Sequence, residues 1–204
     1  MSIKAIVFDY GQVITYQQDP KAIDELAERT GVERGEFESA LWALRGDYDR
    51  GTISSRDYFK KILARFDVTM SDEKIDELVE IDSGSWRNIN PETVVLMEEI
   101  KKAGYLVGIL SNMPMNFLVW ARENLPVFSL PHAGVFSCEE NLVKPEEAIY
   151  RKMLSLLGVE PNELVFFDDK IDNIEGAKAL DIEAILWENP GSARLKLLSM
   201  GVKL

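Results

Sequence analysis

Four polar positions close short apolar runs in this 204-residue chain, and their types define a chemistry. Asp9 follows the run Ile3 to Phe8, and Ser111 follows Leu106 to Leu110. Lys144 comes shortly after Gly134 to Phe136, and the pair Asp168-Asp169 follows Leu164 to Phe167. A carboxylate at the end of a buried strand stands at the carboxyl edge of a sheet, where open α/β folds bind ligands. Asp9 is nucleophile-competent, but a phosphomonoester dianion repels it. Attack therefore requires positive charge and hydrogen-bond donors around the phosphoryl oxygens. A lysine and a hydroxyl are two of the needed parts.

Other residue types exclude alternatives. The chain holds one histidine, His132, in a loop-like stretch, and one cysteine, Cys138. That inventory rules out a zinc cluster and disfavours Ser/His/Asp or Cys/His nucleophile systems. A metal here must be held by oxygen, which favours Mg²⁺. The three acids Asp9, Asp168 and Asp169, brought to one strand edge, raise one another's pKa unless a cation intervenes. A formal net charge of −12 argues against nucleic-acid binding, which depends on Lys and Arg displacing counterions. No GxxxxGK[ST] loop occurs, so nucleoside-triphosphate chemistry is disfavoured. No stretch approaches the ~20 apolar residues of a membrane span. The opening Met1-Ser2-Ile3-Lys4 has no signal-peptide layout, and a lone cysteine agrees with a reducing compartment. A cytoplasmic location is expected, with no membrane partner, as a monomer or homodimer.

The elements that must position these groups follow from periodicity. Segments Ile3–Phe8, Tyr105–Leu110, Ala133–Phe136, Leu164–Phe167 and Glu183–Trp187 are short, apolar and strand-like. Helical segments separate most of them, the βαβ pattern of a parallel sheet. Asn90-Pro91 starts one helix that Gly104 closes, and Pro145 opens another that ends near Gly158. A last helix is expected from about Ser192, carrying Leu195, Leu197 and Leu198 into the core. The interval 17–88 contains no convincing strand. Four helices are expected there, from Asp19-Pro20 to Gly31, over Glu33–Leu44, over Ser54–Phe66 and over Ser71–Asp82, of which only the Ser54 start resembles a capping box. The fold class is thus α/β: a Rossmann-like three-layer core with a mostly parallel five- to six-stranded sheet (1–16 and 89–204). A small four-helix-bundle cap (17–88) is inserted after the first strand.

Four stretches then stand in order: Val7-Phe8-Asp9-Tyr10-Gly11-Gln12-Val13-Ile14, Leu110-Ser111-Asn112, Val143-Lys144-Pro145, and Phe166-Phe167-Asp168-Asp169 with Asn173-Ile174-Glu175-Gly176-Ala177. Together they resemble the four motifs of the haloacid dehalogenase-like hydrolase superfamily, over nearly the whole chain. Tyr48 to Ser54 also looks like the cap turn of this group. The phosphatase branches are nearest, such as bacterial glucose-1-phosphate phosphatases and the phosphatase domain of soluble epoxide hydrolases. The resemblance implies Mg²⁺ held by Asp9, the Gly11 carbonyl and Asp169, with Asp168 and Asn173 behind them. It implies Asp9 as nucleophile, with Lys144 neutralising a phosphoryl oxygen and shielding Asp9 from Asp169. Ser111 and the backbone or amide of Asn112 would donate to the phosphoryl group of a small phosphorylated metabolite such as a sugar phosphate.

One departure matters. Phosphatases of this family usually carry a second Asp two residues after the nucleophile, to protonate the leaving oxygen, and here that position is Gly11. A good leaving group, a substitute donor such as Tyr10 or Gln12, or a water relay would each answer the loss. The same glycine keeps a metal-independent 2-haloacid dehalogenase open as an alternative, since a halide leaves without protonation; Asp169 argues against it. A degenerate phosphate-binding scaffold without turnover is the third reading. In the cap, Trp42, Arg45, Tyr48 and Arg50, with Tyr16 and Gln18, are candidates to line the entrance. Arg45 is the preferred contact for a substrate anion, while Trp42 also fits core spacing with Leu41 and Leu44. Met113-Pro114-Met115 and Trp120 read as packing residues.

Overall fold

In the computed structural model, residues 2–204 are described; Met1, part of the expected leaderless start, lies outside them. The chain begins with β1 (Ala5–Phe8) and then runs through five helices: α1 (Pro20–Thr30), α2 (Arg34–Ala43), α3 (Arg45–Asp49), α4 (Ser55–Ala64) and α5 (Asp72–Gly84). It continues with α6 (Pro91–Lys102), β2 (Leu106–Ser111), α7 (Met115–Asn124), β3 (Ala133–Phe136) and α8 (Ser137–Glu140). It closes with α9 (Glu147–Leu157), β4 (Leu164–Asp168), α10 (Ile171–Lys178), β5 (Glu183–Leu186) and α11 (Pro190–Ser199). The five strands form one sheet in the order β3-β2-β1-β4-β5, and every pairing is parallel.

Alternation along the strands builds a three-layer core. Ile6, Phe8, Val107, Ile109, Val165 and Phe167 pack on one face against Leu96, Met97 and Ile100 of α6, Phe117 and Leu118 of α7, and Leu197 of α11. Ala5, Val7, Leu110, Val135 and Phe166 pack on the other against Ile149, Tyr150 and Met153 of α9 and Ile174 of α10. Burial on both faces is why these strands read as continuous apolar runs. The helices α1 to α5 enclose a separate apolar cluster that includes Leu26, Phe37, Leu41, Tyr58, Phe59, Ile62 and Leu78. The two chain crossings that join this cluster to the sheet run side by side, with an antiparallel bridge between Thr15 and Ile89.

Several helix starts follow the expected chemistry. Asp19, Ser54 and Asn90 each accept a hydrogen bond from a backbone N–H of the first turn, while Ser71 makes no such bond. Three expectations are corrected. Pro145 does not open α9: the Lys144–Pro145 bond is cis and the helix starts at Glu147. The last helix starts at Pro190, capped by Asn189, and buries Ala193 and Leu197, leaving Leu195 68% and Leu198 43% exposed. The segment after Leu44, outside the four expected helices, forms a fifth helix of the cluster, α3. It is amphipathic only through Tyr48, which is too short a pattern for periodicity to register.

Candidate active site

Strand register assembles the site. Phe8 pairs with Phe167, so Asp9 falls beside Asp168 across the β1/β4 boundary. Phe8 also pairs with Ile109, so Asp9 falls beside Leu110 on the other side. The chain leaves β1 for β2 on one side and reaches β4 on the other, which makes this the switch point of the sheet. Ligands of open α/β folds bind outside the carboxyl ends of strands at such a point.

Lys144 is the hub. Its ammonium lies 2.8 Å from Asp9 Oδ1 and 2.6 Å from Asp168 Oδ2, and it donates to the Leu110 carbonyl at 2.9 Å. Asn112 fixes the loop that presents it: Asn112 Oδ1 accepts from the Lys144 backbone N–H at 2.8 Å, and Nδ2 donates to the Lys144 carbonyl at 3.0 Å. The Asn112 side chain is therefore engaged as a clamp, with its backbone N–H and the second Nδ2 proton left as the donors expected from it. Burial pulls the Lys144 pKa down, but Asp168 and Asp9 together outweigh it and hold the ammonium above the ordinary lysine value.

The three acids differ in their surroundings. Asp168 is fully buried and accepts from Lys144, from Asn173 Nδ2 at 2.9 and 3.0 Å, and from the Lys170 backbone N–H at 2.8 Å. Asp9 is pushed up by burial; Lys144 opposes this and Asp168 adds to it. Asp169 is pushed up to about 6, first by burial and then by Asp9 and Asp168. Each of the three offers a carboxylate oxygen, and these oxygens lie within 4.8 Å of one another. Asp9 Oδ1 is buried and, although it touches the ammonium, receives no aligned hydrogen bond. Asp168 is saturated by its neighbours, which leaves Asp9 and Asp169 as oxygen donors facing the cavity. That donor set fits a hard divalent cation.

A cavity of about 290 Å³ opens over this edge. Asp9, Gly11, Ser111, Asn112, Lys144 and Asp169 line its floor, all residues expected from the sequence. Of the expected entrance residues, Trp42 and Arg45 line it and Tyr16, Gln18, Tyr48 and Arg50 do not. The Tyr48 hydroxyl donates to Asn116 Oδ1 at 2.7 Å, and Arg50 pairs with Glu146. Trp42 is 40% exposed rather than in the core, and meets Trp86 edge to face at 6.4 Å. Arg45 binds Asp49 at 2.8 Å and Asp82 through both oxygens at 3.1 and 3.0 Å. One guanidinium between two carboxylates leaves no positive charge for a substrate anion, which corrects the preferred role for Arg45. Met113 and Pro114, read as packing, also line the cavity, whereas Met115 is exposed. Sequence reasoning missed Trp86, Asp82, Phe117 and Lys170, which carry no motif, and gave no role to Asp49 within the cap turn; only the fold brings them over Asp9. His132 stays structural: its Nδ1 accepts from the Val107 N–H at 3.0 Å, and it does not line the cavity.

Sheet order, switch point and acidic edge coincide with a family match. The model of the haloacid dehalogenase-like hydrolases matches residues 3–181, and the chain belongs to that family of hydrolases. Phosphatase MT3486 from Mycobacterium tuberculosis is 28% identical over 201 residues, covering 95% of this chain and 91% of its own. Mouse bifunctional epoxide hydrolase 2 is 39% identical over 118 residues, 54% of this chain and 21% of that protein. Among solved structures, the wild-type haloacid dehalogenase family enzyme bt-2542 from Bacteroides thetaiotaomicron, in complex with magnesium and inorganic phosphate, superposes with a TM-score of 0.75 at 21% identity, covering 92% of this chain and 95% of that one. No helix among the described residues is long and apolar enough to cross a membrane.

Proposed function

We propose that this hydrolase is a Mg²⁺-dependent phosphatase of small phosphorylated metabolites that works through an aspartyl-phosphate at Asp9. The observation that carries the reading is the buried Asp9 Oδ1, held 2.8 Å from the Lys144 ammonium beside a cluster of acids that needs a cation. Asp9, the Gly11 carbonyl and Asp169 would hold the ion. When bound, it supplies the positive charge that lets a phosphate dianion approach a carboxylate.

An Asp9 oxygen then attacks phosphorus, and the ester oxygen departs with the bonding electrons. Lys144 holds Asp9 ionised and oriented, and its charge offsets that of the phosphoryl oxygens. The Ser111 hydroxyl and the Asn112 backbone N–H donate to the phosphoryl group. Water hydrolyses the acyl phosphate, releasing phosphate and restoring Asp9. Helices α1 to α5, over 17–88, act as a cap hinged at the paired crossings, closing the cavity over the ester. The rival, metal-independent haloacid dehalogenation, places a carboxylate substrate against Asp169 with no ion between them, which the acidic edge disfavours.

p-Nitrophenyl phosphate is the first probe, because its leaving group needs no acid. Hydrolysis is expected with Mg²⁺, lost with a chelator and abolished in Asp9→Asn. Activity that survives Asp9→Asn contradicts the nucleophile assignment. Release of halide from 2-haloacids in chelator supports the rival.

A further inference from the structure

Position 11, where the resemblance places an acid, is closed by another residue. A Cβ built on Gly11 would stand 3.3 Å from Cζ3 of Trp86, with Cε3 at 3.8 Å and Cη2 at 4.0 Å. The benzo edge of the indole therefore lies over the backbone from which a carboxyl side chain would rise. Trp86 is itself braced, edge to face with Trp42 and with its carbonyl accepting the Tyr10 phenol at 2.9 Å. That bond also removes Tyr10 as a substitute acid: its proton is committed, it is 3% exposed, and burial pushes its pKa further up. Gln12 has no acidic proton. Asp49 and Asp82 are paired with Arg45. Three donors of the upper wall remain: the Trp86 indole N–H, buried without a partner, and the Ser83 hydroxyl, neither of them an acid at neutral pH, and the Lys170 ammonium, 5.7 Å from the Trp42 ring centre on an exposed side chain.

We propose that Trp86 determines specificity by replacing the leaving-group acid with an apolar wall. The site then selects phosphate esters whose leaving oxygen is weakly basic and carried on a flat ring that packs against Trp86 and Trp42. This rests on the phosphatase reading and deepens it. In the chemical step the oxygen–phosphorus bond breaks with the electron pair going to an oxygen that leaves as the anion and takes its proton later from solvent. Apolar ring faces supply contact area to the leaving group without a proton.

The test is kcat/KM with Mg²⁺ on substituted phenyl phosphates of graded leaving-group pKa, with n-butyl phosphate and 2-phenylethyl phosphate. The last carries a ring on an alkyl oxygen and separates packing from leaving ability. For the native protein, kcat/KM is expected to fall on the order of 10²–10⁴-fold from p-nitrophenyl to alkyl esters, the value of a missing general acid. 2-Phenylethyl phosphate should be turned over as slowly as n-butyl phosphate but with a lower KM. Trp86→Ala should raise KM for phenyl phosphates while leaving the ratio of aryl to alkyl kcat in place. Gly11→Asp alone should gain no alkyl-ester activity, whereas Gly11→Asp with Trp86→Ala should gain at least about tenfold and flatten the dependence, since the acid then has room. A flat dependence in the native protein overturns the proposal without any variant. So does an alkyl-ester gain in Gly11→Asp alone equal to that of the double variant. If the native protein hydrolyses no phosphate ester, including p-nitrophenyl phosphate, the phosphatase reading itself falls; a flat profile in an active enzyme removes only the role of Trp86.

Discussion

Lys144 shows why this site needs all its charges at once. A buried ammonium and a buried carboxylate are each costly alone, and removing one partner leaves the other uncompensated. Lys144→Met is accordingly expected to abolish turnover and to destabilise the fold by roughly 3–5 kcal/mol, read as a fall in Tm, because Asp9 and Asp168 lose the cation they share. An unchanged Tm would show that the pairing of Lys144 with the two acids carries none of the stability. Asp169 gives a pH dependence. Its native pKa is pushed up to about 6 from an ordinary value of 3.8, so the native state binds the proton more tightly than the unfolded chain. Without metal, ionisation of Asp169 above pH 6 opposes folding, and the penalty is relieved as pH falls through 6 and is gone below 3.8. The Tm advantage of Asp169→Asn over the metal-free native protein is therefore expected to be largest at pH 7 and to shrink by pH 5. Saturating Mg²⁺ should remove that advantage at pH 7. An advantage independent of pH would contradict the account.

At the scale of elements, one turn joins the helical cluster to the sheet domain. Gly51 has φ +79 and packs so tightly that a Cβ would lie 2.6 Å from the Cys138 carbonyl oxygen. Close by, Ser137 Oγ donates to the Asp49 carbonyl and Arg50 pairs with Glu146. Gly51→Ala must shift this contact and adopt a left-handed conformation that costs about 1 kcal/mol or more. It should lower both Tm and kcat/KM; retention of both would mean that the turn does not position the cavity wall. What the sequence made legible divides along physical lines. Asp9, Ser111, Asp168 and Asp169 were readable because each ends or follows a strand buried on both faces, where a polar residue breaks an apolar run; Lys144, in a loop beyond α8, was readable through the Val143-Lys144-Pro145 motif. Helices α1, α4 and α6 were readable from their caps. The upper wall was legible only in part: Trp42 was a candidate for the entrance and lines the cavity, although its spacing also fits a helix core. Arg45 was misjudged because its partners lie 4 and 37 residues away, and spacing reveals at most the first. Trp86 sits in an irregular return segment where periodicity carries no signal.

For the molecule as a whole, the cavity lies between a sheet edge that gathers the charged groups and a helical cluster that supplies much of the opposite wall. The sheet edge ties Asp9, Lys144 and the acidic pair to strands or their adjoining loops, with Asp9, Lys144 and Asp168 buried and Asp169 half-buried. Helices α1 to α5 contribute Trp42, Arg45, Asp49 and Asp82 to the same cavity, Trp86 comes from the return segment and packs on the core of the sheet, and the two crossings pair at Thr15 and Ile89. The central claim is that Asp9 carries the phosphoryl group during turnover. Rapid acid quench of the Mg²⁺-loaded protein reacting with p-nitrophenyl phosphate, followed by peptide mass spectrometry, tests it most directly. The account predicts one phosphoryl group on the tryptic peptide from Ala5 to Lys21, placed on Asp9 by its fragments and absent in Asp9→Asn. Steady turnover with the group on another residue, or a burst of product with no group on Asp9, would contradict it.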